Sequence, residues 1–314
     1  MALKLSPNYV DAHYNFAILL AEKGQFEQAK KHYQKTLKLN PVHIKARNNL
    51  ANILTKQGCF NEAENCYQVV LESNSNNIDA HNNLGVLLKR QKSFYRAEKH
   101  YQIALKIDPK NTDTQWNLSL LQLQLGDFHQ GWMYYESRYR EDKKDRTSMN
   151  VVPPNITTSQ YQGESLKNKR ILICAEQGIG DEIMFASVLS ELKAQTQSQD
   201  VRITLVCDAR LVELFNQSFD FLTAIPKNPN NCCQTLDNEL DYWLFIGSLP
   251  KFYRNDIKDF SQHQPYLKAN NVLFDKWQER FSKLKHTFNI GISWATISKK
   301  KTSRLLWNNL PQFL

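Results

Sequence analysis

An acidic residue follows a glycine turn in the stretch RILICAEQGIGDEIMFAS, residues 170–187. Gly178 and Gly180 allow the backbone to turn sharply and to approach a bound molecule closely. Asp181 then lies where a helix is expected to begin. Its carboxylate is suited there either to general-base chemistry or to capping of the helix, and the residues alone leave both roles open.

The residues around this turn predict a strand before it and a helix after it. Residues 171–175 form a short apolar run with β-branched side chains, as in a buried parallel strand. The apolar residues that follow are predicted to share one helical face: Ile183, Met184, Val188, Leu189 and Leu192. Ligands of open α/β sheets bind at the carboxyl ends of the strands, where this turn would lie. Glu176 and Gln177 are therefore candidates to shape the turn or to contact an acceptor molecule.

Two phosphate-binding patterns are excluded at this turn. A dinucleotide fingerprint would need its third glycine at Ile183, and no Gly-Lys-Ser/Thr follows for a nucleoside triphosphate loop.

Composition indicates a soluble globular chain that is long enough for two domains, with 314 residues, 41% hydrophobic and 23% charged. No apolar run approaches the roughly 18 residues of a membrane span, and the first residues do not resemble a signal peptide, so we expect a cytoplasmic protein without a membrane span. The six cysteines form no C-x-x-C pair, which favours free thiols over disulfides or a metal site. The net charge of +9 favours an anionic substrate or plain solubility, and no nucleic-acid-binding pattern is visible.

The first 141 residues repeat at a spacing of 34. Three columns carry the period: Ala29, Ala63, Ala97 and Gly131; Tyr33, Tyr67, Tyr101 and Tyr135; Phe16, Leu50, Leu84 and Leu118. This pattern resembles the tetratricopeptide repeat, a helix–turn–helix unit that stacks into a solenoid. We predict repeats at about 9–42, 43–76, 77–110 and 111–141, after a partial repeat at residues 1–8. Because residues 2–7 align with the end of a repeat, further repeats are expected upstream.

A polar column accompanies the repeats: Asn15, Asn49, Asn83 and Asn117. On the first helix of each repeat, this position is expected to face the concave groove, where an asparagine offers a donor and an acceptor to an extended peptide. The alternative is that these amides only support hydrogen bonds between helices. A similar asparagine ladder holds protein substrates in the O-GlcNAc transferase family, and this resemblance implies a protein or peptide partner in the groove.

The second half of the chain predicts an α/β domain. After a polar linker at 142–169, further strands are expected at 201–207, 221–225 and 242–246, with helical patterns between them. Strands that alternate with helices indicate a mainly parallel sheet, here a Rossmann-like domain at 170–285. A strand near residue 290 would begin a second such domain at 286–314, which is truncated. The aromatic end of the fourth repeat, residues 131–139, is expected to pack against the sheet domain.

Several short segments carry a family resemblance: AEQGIGDEIMFAS at 175–187, GSLP at 247–250, PYLKA at 265–269 and GISWA at 291–295. They resemble bacterial tetratricopeptide-repeat proteins with a heptosyltransferase-like glycosyltransferase domain. The resemblance implies a GT-B fold, in which the first Rossmann-like half binds the acceptor and the second binds a nucleotide sugar. It also implies that Asp181, after Gly180, is the catalytic base.

The same resemblance implies contacts to the donor phosphate in the second half, from Thr296, Lys301 and Arg304. Thr296 stands where family members often carry glycine. No metal or other cofactor is expected, since the nucleotide sugar is the substrate. The chain is thus expected to be a glycosyltransferase fragment whose repeats recruit the acceptor and which is inactive without the donor half. The alternative is a non-catalytic adaptor that binds a protein partner and carries a degenerate α/β domain.

Overall fold

The computed structural model describes residues 3, 6–138, 158–197, 199–227, 240–260 and 265–283. The chain divides into two compact units, Met1–Lys268 and Ala269–Leu314. Most of the predicted linker lies outside the described residues, and so do Thr296, Lys301 and Arg304.

The first half of the large unit is a series of antiparallel helix pairs. The bounds are α1 Val10–Glu22, α2 Phe26–Leu39, α3 Ile44–Gln57, α4 Phe60–Ser73, α5 Ile78–Arg90, α6 Phe94–Ile107, α7 Thr112–Leu125 and α8 Phe128–Tyr135. The first helices of the pairs begin 34 residues apart, and every second helix begins with phenylalanine. The predicted helical repeats are therefore confirmed.

The repeating columns explain why the helices pair. Ala29, Ala63 and Ala97 are fully buried and allow the paired helices to approach closely. The tyrosine that follows each alanine fills the space between helices, and Tyr101 is also fully buried. Where the two helices of a pair join, most repeats have a glycine with positive φ, such as Gly58 at 81°. Such a backbone angle favours glycine because it has no Cβ.

A parallel sheet follows the repeats. Its strands are β1 Arg170–Cys174, β2 Arg202–Cys207, β3 Leu222–Pro226 and β4 Tyr242–Phe245, in the order β3-β2-β1-β4. All three strand pairs are parallel, with Ile171 beside both Ile203 and Tyr242. The predicted parallel sheet is confirmed, whereas its assignment to a GT-B fold stays a prediction. Because β1 lies between β2 and β4, the chain leaves β1 to opposite sides, and this defines a topological switch point between β1 and β4.

Short helices connect the strands and cover the sheet. They are α9 Ile179–Ala186, α10 Leu189–Thr196, α11 Val212–Ser218 and α12 Pro250–Tyr253. The predicted single helix after the glycine turn is wrong, because α9 ends where Ser187 and Val188 donate backbone hydrogen bonds three residues back. Met184, one of the residues predicted to share an apolar face, is 53% exposed, and Phe185 faces the core.

The aromatic end of the fourth repeat packs against the sheet region, as predicted. The rings of Trp132 and Tyr135 lie 6.4 and 6.1 Å from the ring of Phe185 in α9. Trp132 Nε1 also donates to the Arg254 carbonyl at 2.8 Å. The repeats and the sheet therefore share one apolar core at this junction.

The small unit contains one described helix, α13 Asn271–Ser282. The Asn270 side chain accepts a hydrogen bond from the Leu273 amide at 3.2 Å and caps the helix. Apolar side chains of this helix are exposed, with Val272 at 77% and Trp277 at 46%.

Candidate functional site

The glycine turn lies at the carboxyl end of β1, as the sequence predicts. Helix α9 begins at Ile179, and the Gly178 amide donates to Asp181 Oδ2 at 3.2 Å. Asp181 is half-buried, while Gly178 and Gly180 are exposed. A Cβ added at Gly180 would meet no atom within 4 Å, so the outer side of the turn is open. Asp181 therefore makes the capping contact, and its catalytic role stays a prediction.

The two other polar residues of the turn contact the last repeat. Glu176 is only 3% exposed, and its Oε1 accepts from Arg138 Nε at 3.1 Å. Gln177 Nε2 donates to the Tyr135 hydroxyl at 2.9 Å. In the structure, each of these two residues is hydrogen-bonded to a side chain of the last repeat. Their predicted contact with an acceptor molecule stays a prediction.

Arg138 is the centre of this contact, and no sequence pattern predicted this role. Its guanidinium donates to Glu176, to the Tyr135 carbonyl at 3.1 Å, to Glu136 Oε1 at 2.7 Å and to Ser248 Oγ at 2.8 Å. The Arg138 side chain has no exposed surface. One signal could have predicted this role: Arg138 is a single arginine within an aromatic helix end that was expected to be buried. A buried cation requires hydrogen-bond partners.

Arg138 connects the ends of two strands at the switch point. Glu176 follows β1, and Ser248 follows β4. Parallel sheets commonly bind ligands in the crevice at such a point, and here a side chain from the repeats occupies part of it. The absence of a side chain at Gly247 leaves room for the Glu176 carboxylate beside it. An added Cβ would lie 2.5 Å from Glu176 Oε1. Burial raises the pKa of Glu176 to about 7, although Arg138 acts in the opposite direction.

A second charged cluster lies at the carboxyl ends of β2 and β3. Glu182 is 2% exposed and accepts from the Asp208 amide at 2.8 Å and from the Lys227 ammonium group. Arg210 holds the pKa of Asp208 down at about 2 through its side-chain hydrogen bonds. Within the described residues, no group of three or more His, Cys, Asp or Glu side chains could hold a metal ion.

The asparagine column lies on the first helices of the repeats, and its members differ in their contacts. Asn117 Nδ2 donates to Asn82 Oδ1 at 2.9 Å, and Asn49 interacts with the Tyr33 hydroxyl. Asn83 accepts from Asn82 at 3.4 Å, and Asn15 is exposed. Both alternatives for this column therefore stay open, because some amides support the array and others reach solvent.

A cleft of about 450 Å³ opens between the third and fourth repeats. Its polar lining comes from α5, α6, α7 and the turn between α5 and α6: Lys89, Arg90, Lys92, Tyr101, Asn117 and Gln124. Two of its apolar lining residues are Val86 and Phe94. The volume is within the range of small-molecule and side-chain pockets.

Comparison with known proteins identifies the repeats. Tetratricopeptide-repeat family models match residues 1–31, 20–85 and 78–111, so this part of the chain consists of tetratricopeptide repeats. Protein FlbA of Caulobacter vibrioides is 26% identical over 153 residues, which cover 44% of this chain and 24% of that protein. The chain thus spans about a quarter of the length of this curated relative.

Solved structures of repeat proteins also match. A MamA double mutant, RS-1 ArsTM, is 20% identical, with a TM-score of 0.39 and coverage of 43% of this chain and 76% of that chain. PilF of Pseudomonas aeruginosa is 28% identical, with a TM-score of 0.38 and coverage of 40% and 58%. YrrB, described as a TPR protein with an unusual peptide-binding site, is 20% identical, with a TM-score of 0.37 and coverage of 43% and 70%.

Among the described helices, none combines the length and the apolar character that crossing a bilayer requires.

Proposed function

We propose that the repeat array binds a protein or peptide partner along its concave face. The observation that carries this proposal is the cleft between the third and fourth repeats, which combines apolar walls with side-chain amides and cations. A solenoid presents an extended concave surface, and an extended peptide needs donors and acceptors spaced along it. Asn15 and Asn83 supply such groups on the same helix position two repeats apart.

The binding test begins with selection of peptides from a phage-displayed random library on the full chain. Affinity of a selected peptide is then measured by fluorescence anisotropy for the wild type and for the double variant Asn15→Ala, Asn83→Ala. We expect about a 5-fold to 100-fold loss, since each lost hydrogen bond is worth roughly 0.5–1.5 kcal/mol. These two asparagines are chosen because Asn49 and Asn117 have clearer partners within the array.

Asn76→Ala is the matched control, since Asn76 is exposed in the turn between α4 and α5. Its affinity for the selected peptide is expected to equal that of the wild type. If the library yields no binding peptide, or if the double variant binds as tightly as the wild type, the proposal for this face is wrong.

A second candidate function is sugar transfer with Asp181 as the base. It is favoured by the place of this half-buried carboxylate at the carboxyl end of β1, beside an open glycine turn. In such a reaction Asp181 takes the proton of the acceptor hydroxyl while the acceptor oxygen attacks the anomeric carbon and the nucleotide diphosphate leaves. The repeats would bring the acceptor, and the nucleotide sugar would bind the predicted second half.

The test uses a protein that carries both predicted halves and measures nucleotide release from a panel of nucleotide sugars. Asp181→Asn is expected to lower the rate about 100-fold at an unchanged melting temperature if Asp181 is the base. A capping role alone would lower the melting temperature and leave the rate per folded molecule unchanged, and that result would reject the catalytic assignment.

A further inference from the structure

The third repeat differs from the second at its core tyrosine. Tyr67 donates to Asn52 Oδ1 at 2.5 Å in the second repeat. Residue 86, the equivalent of Asn52 in the third repeat, is valine. Tyr101 is fully buried, and its hydroxyl has no hydrogen-bond partner within the described part of the chain.

The other possible acceptor for the Tyr101 hydroxyl, on the first helix of the fourth repeat, does not bond to it either. In the first repeat, Tyr33 interacts with Asn49, which lies sixteen positions further along the chain. The equivalent residue for Tyr101 is Asn117, whose amide donates to Asn82 Oδ1 at 2.9 Å. A buried hydroxyl without a partner costs about 1–3 kcal/mol, so its retention calls for an explanation. Tyr101 lines the cleft, where an incoming acceptor could supply the missing bond.

Positive charge surrounds the same cleft. Lys89, Arg90 and Lys92 line it, and none of the three has an ion-pair partner among the residues that the structure describes. Arg90 donates to the Thr55 carbonyl at 3.2 Å. No aspartate or glutamate lines the cleft. Lys92 occupies the position that is glycine in the other repeats, with φ of 60°.

We propose that the cleft between α5 and α7 binds the carboxylate of an aspartate or glutamate side chain from the partner segment. This inference rests on the proposed binding function of the repeats and names the chemistry of one residue in the partner. The carboxylate would accept from the Lys89 ammonium group and, after the side chains that cover Tyr101 shift, from the Tyr101 hydroxyl, with Arg90 and Lys92 adding positive potential. Hydrogen bonds that involve a charged group are about twice as strong as neutral ones.

The properties of Lys89 are consistent with this occupant. Lys89 is half-buried, and burial lowers its pKa. A carboxylate beside Lys89 would raise this pKa again, because an opposite charge favours the protonated amine. The apolar side chains of Val86 and Phe94 line the same cleft and would lower the local polarity around the pair, which strengthens the attraction.

The experiment uses a fluorescein-labelled peptide of alternating glycine and glutamate and a counterpart with glutamine in place of glutamate. Fluorescence anisotropy on the full chain is expected to show binding of the glutamate peptide that is at least about 10-fold tighter. The difference should shrink between about 50 mM and about 300 mM salt, since part of the attraction comes from partly exposed charges.

Variants then test the cleft itself. Tyr101→Phe and Lys89→Gln are each expected to weaken binding of the glutamate peptide about 10-fold or more. Lys110→Gln, which removes an exposed charge outside the cleft, and Tyr67→Phe, which alters the equivalent tyrosine, should leave this affinity unchanged. The melting temperature of Tyr101→Phe should equal or exceed that of the wild type, because the removed hydroxyl has no partner to lose.

Several outcomes would overturn the inference. They are equal affinity for the glutamate and glutamine peptides, unchanged affinity in Tyr101→Phe and Lys89→Gln, or binding of a phosphoserine peptide without binding of the glutamate peptide. If library peptides bind to Tyr101→Phe and to Lys89→Gln as tightly as to the wild type, the repeats remain a binding surface and only the assignment of the cleft is wrong. If no library peptide binds, the proposed function itself fails.

Discussion

The junction between the repeats and the sheet differs from the cleft in the third repeat in how buried polar groups are bonded. At the junction, Arg138 donates to Glu136, Glu176, Ser248 and the Tyr135 carbonyl within the same chain. In the cleft, the buried hydroxyl of Tyr101 has no acceptor among the described residues. A buried polar group is costly unless it is hydrogen-bonded. The junction is therefore best explained as structure, and the cleft is where we propose that a side chain of a partner binds.

The comparison also shows how one repeated sequence supports both roles. The fourth repeat presents Trp132 and Tyr135 to the sheet, and these aromatic residues enter the shared core. The third repeat keeps cations at the end of its first helix and at the following turn, where they line the cleft. Substitution at a few positions of a common scaffold thus separates docking to the chain's own sheet from the proposed docking of another molecule.

The largest expected effect comes from removal of the central cation at the junction. Arg138→Met leaves Glu176 buried without its guanidinium and should lower the free energy of unfolding by about 3–5 kcal/mol. Urea unfolding followed by far-ultraviolet circular dichroism measures this change. The control is Arg210→Met, which breaks the exposed pair with Asp208 and should cost less than about 1 kcal/mol. Equal effects of the two variants would show that Arg138 contributes no more to stability than an exposed ion pair does.

A pH dependence is expected from Glu176. Its pKa is about 7 in the folded protein, against an ordinary value of 4.5, so the folded state holds the proton more tightly than the unfolded state. The stabilisation from this group is full below about pH 4.5 and is lost as the pH rises through 7. The free energy of unfolding of the wild type relative to Glu176→Gln should therefore fall, by roughly 1–3 kcal/mol, between pH 5 and 8.

Asp208→Asn serves as the control for this pH series. The pKa of Asp208 is lowered to about 2, so its contribution changes only in the acid range below its ordinary value of 3.8. Its difference from the wild type should be constant between about pH 5 and 8. A Glu176→Gln difference that is equally constant would show that Glu176 does not titrate in this window.

The third effect concerns the space around the junction. Gly247→Ala places a Cβ 2.5 Å from Glu176 Oε1 and should cost about 1–3 kcal/mol, measured by urea unfolding. Gly180→Ala is the matched control, because its Cβ meets no atom within 4 Å and alanine favours the helix. If Gly247→Ala leaves the free energy of unfolding unchanged, Arg138 and Glu176 are less tightly constrained than these contacts indicate.

Sequence patterns predicted the elements well where a period repeats. The 34-residue columns gave the helix pairs, and β-branched runs gave the strands that were found at 170–174, 202–207, 222–226 and 242–245. The patterns failed at the first helix after the glycine turn, because two local hydrogen bonds from Ser187 and Val188 divide it. They also missed Arg138 and the isolated hydroxyl of Tyr101, because the partners of a side chain are distant in sequence.

The sequence by itself determined the tetratricopeptide repeats, which follow from periodicity in side-chain type, and the parallel pairing of a short sheet, which follows from strands that alternate with helices. It also placed Asp181 at a glycine turn and an asparagine column on the repeats. Only the tertiary structure decided that Arg138 meets Glu176 and Ser248, which are 38 and 110 residues away. The physical reason is that hydrogen bonding and burial depend on distances between folded elements, and periodicity along the chain does not encode those distances.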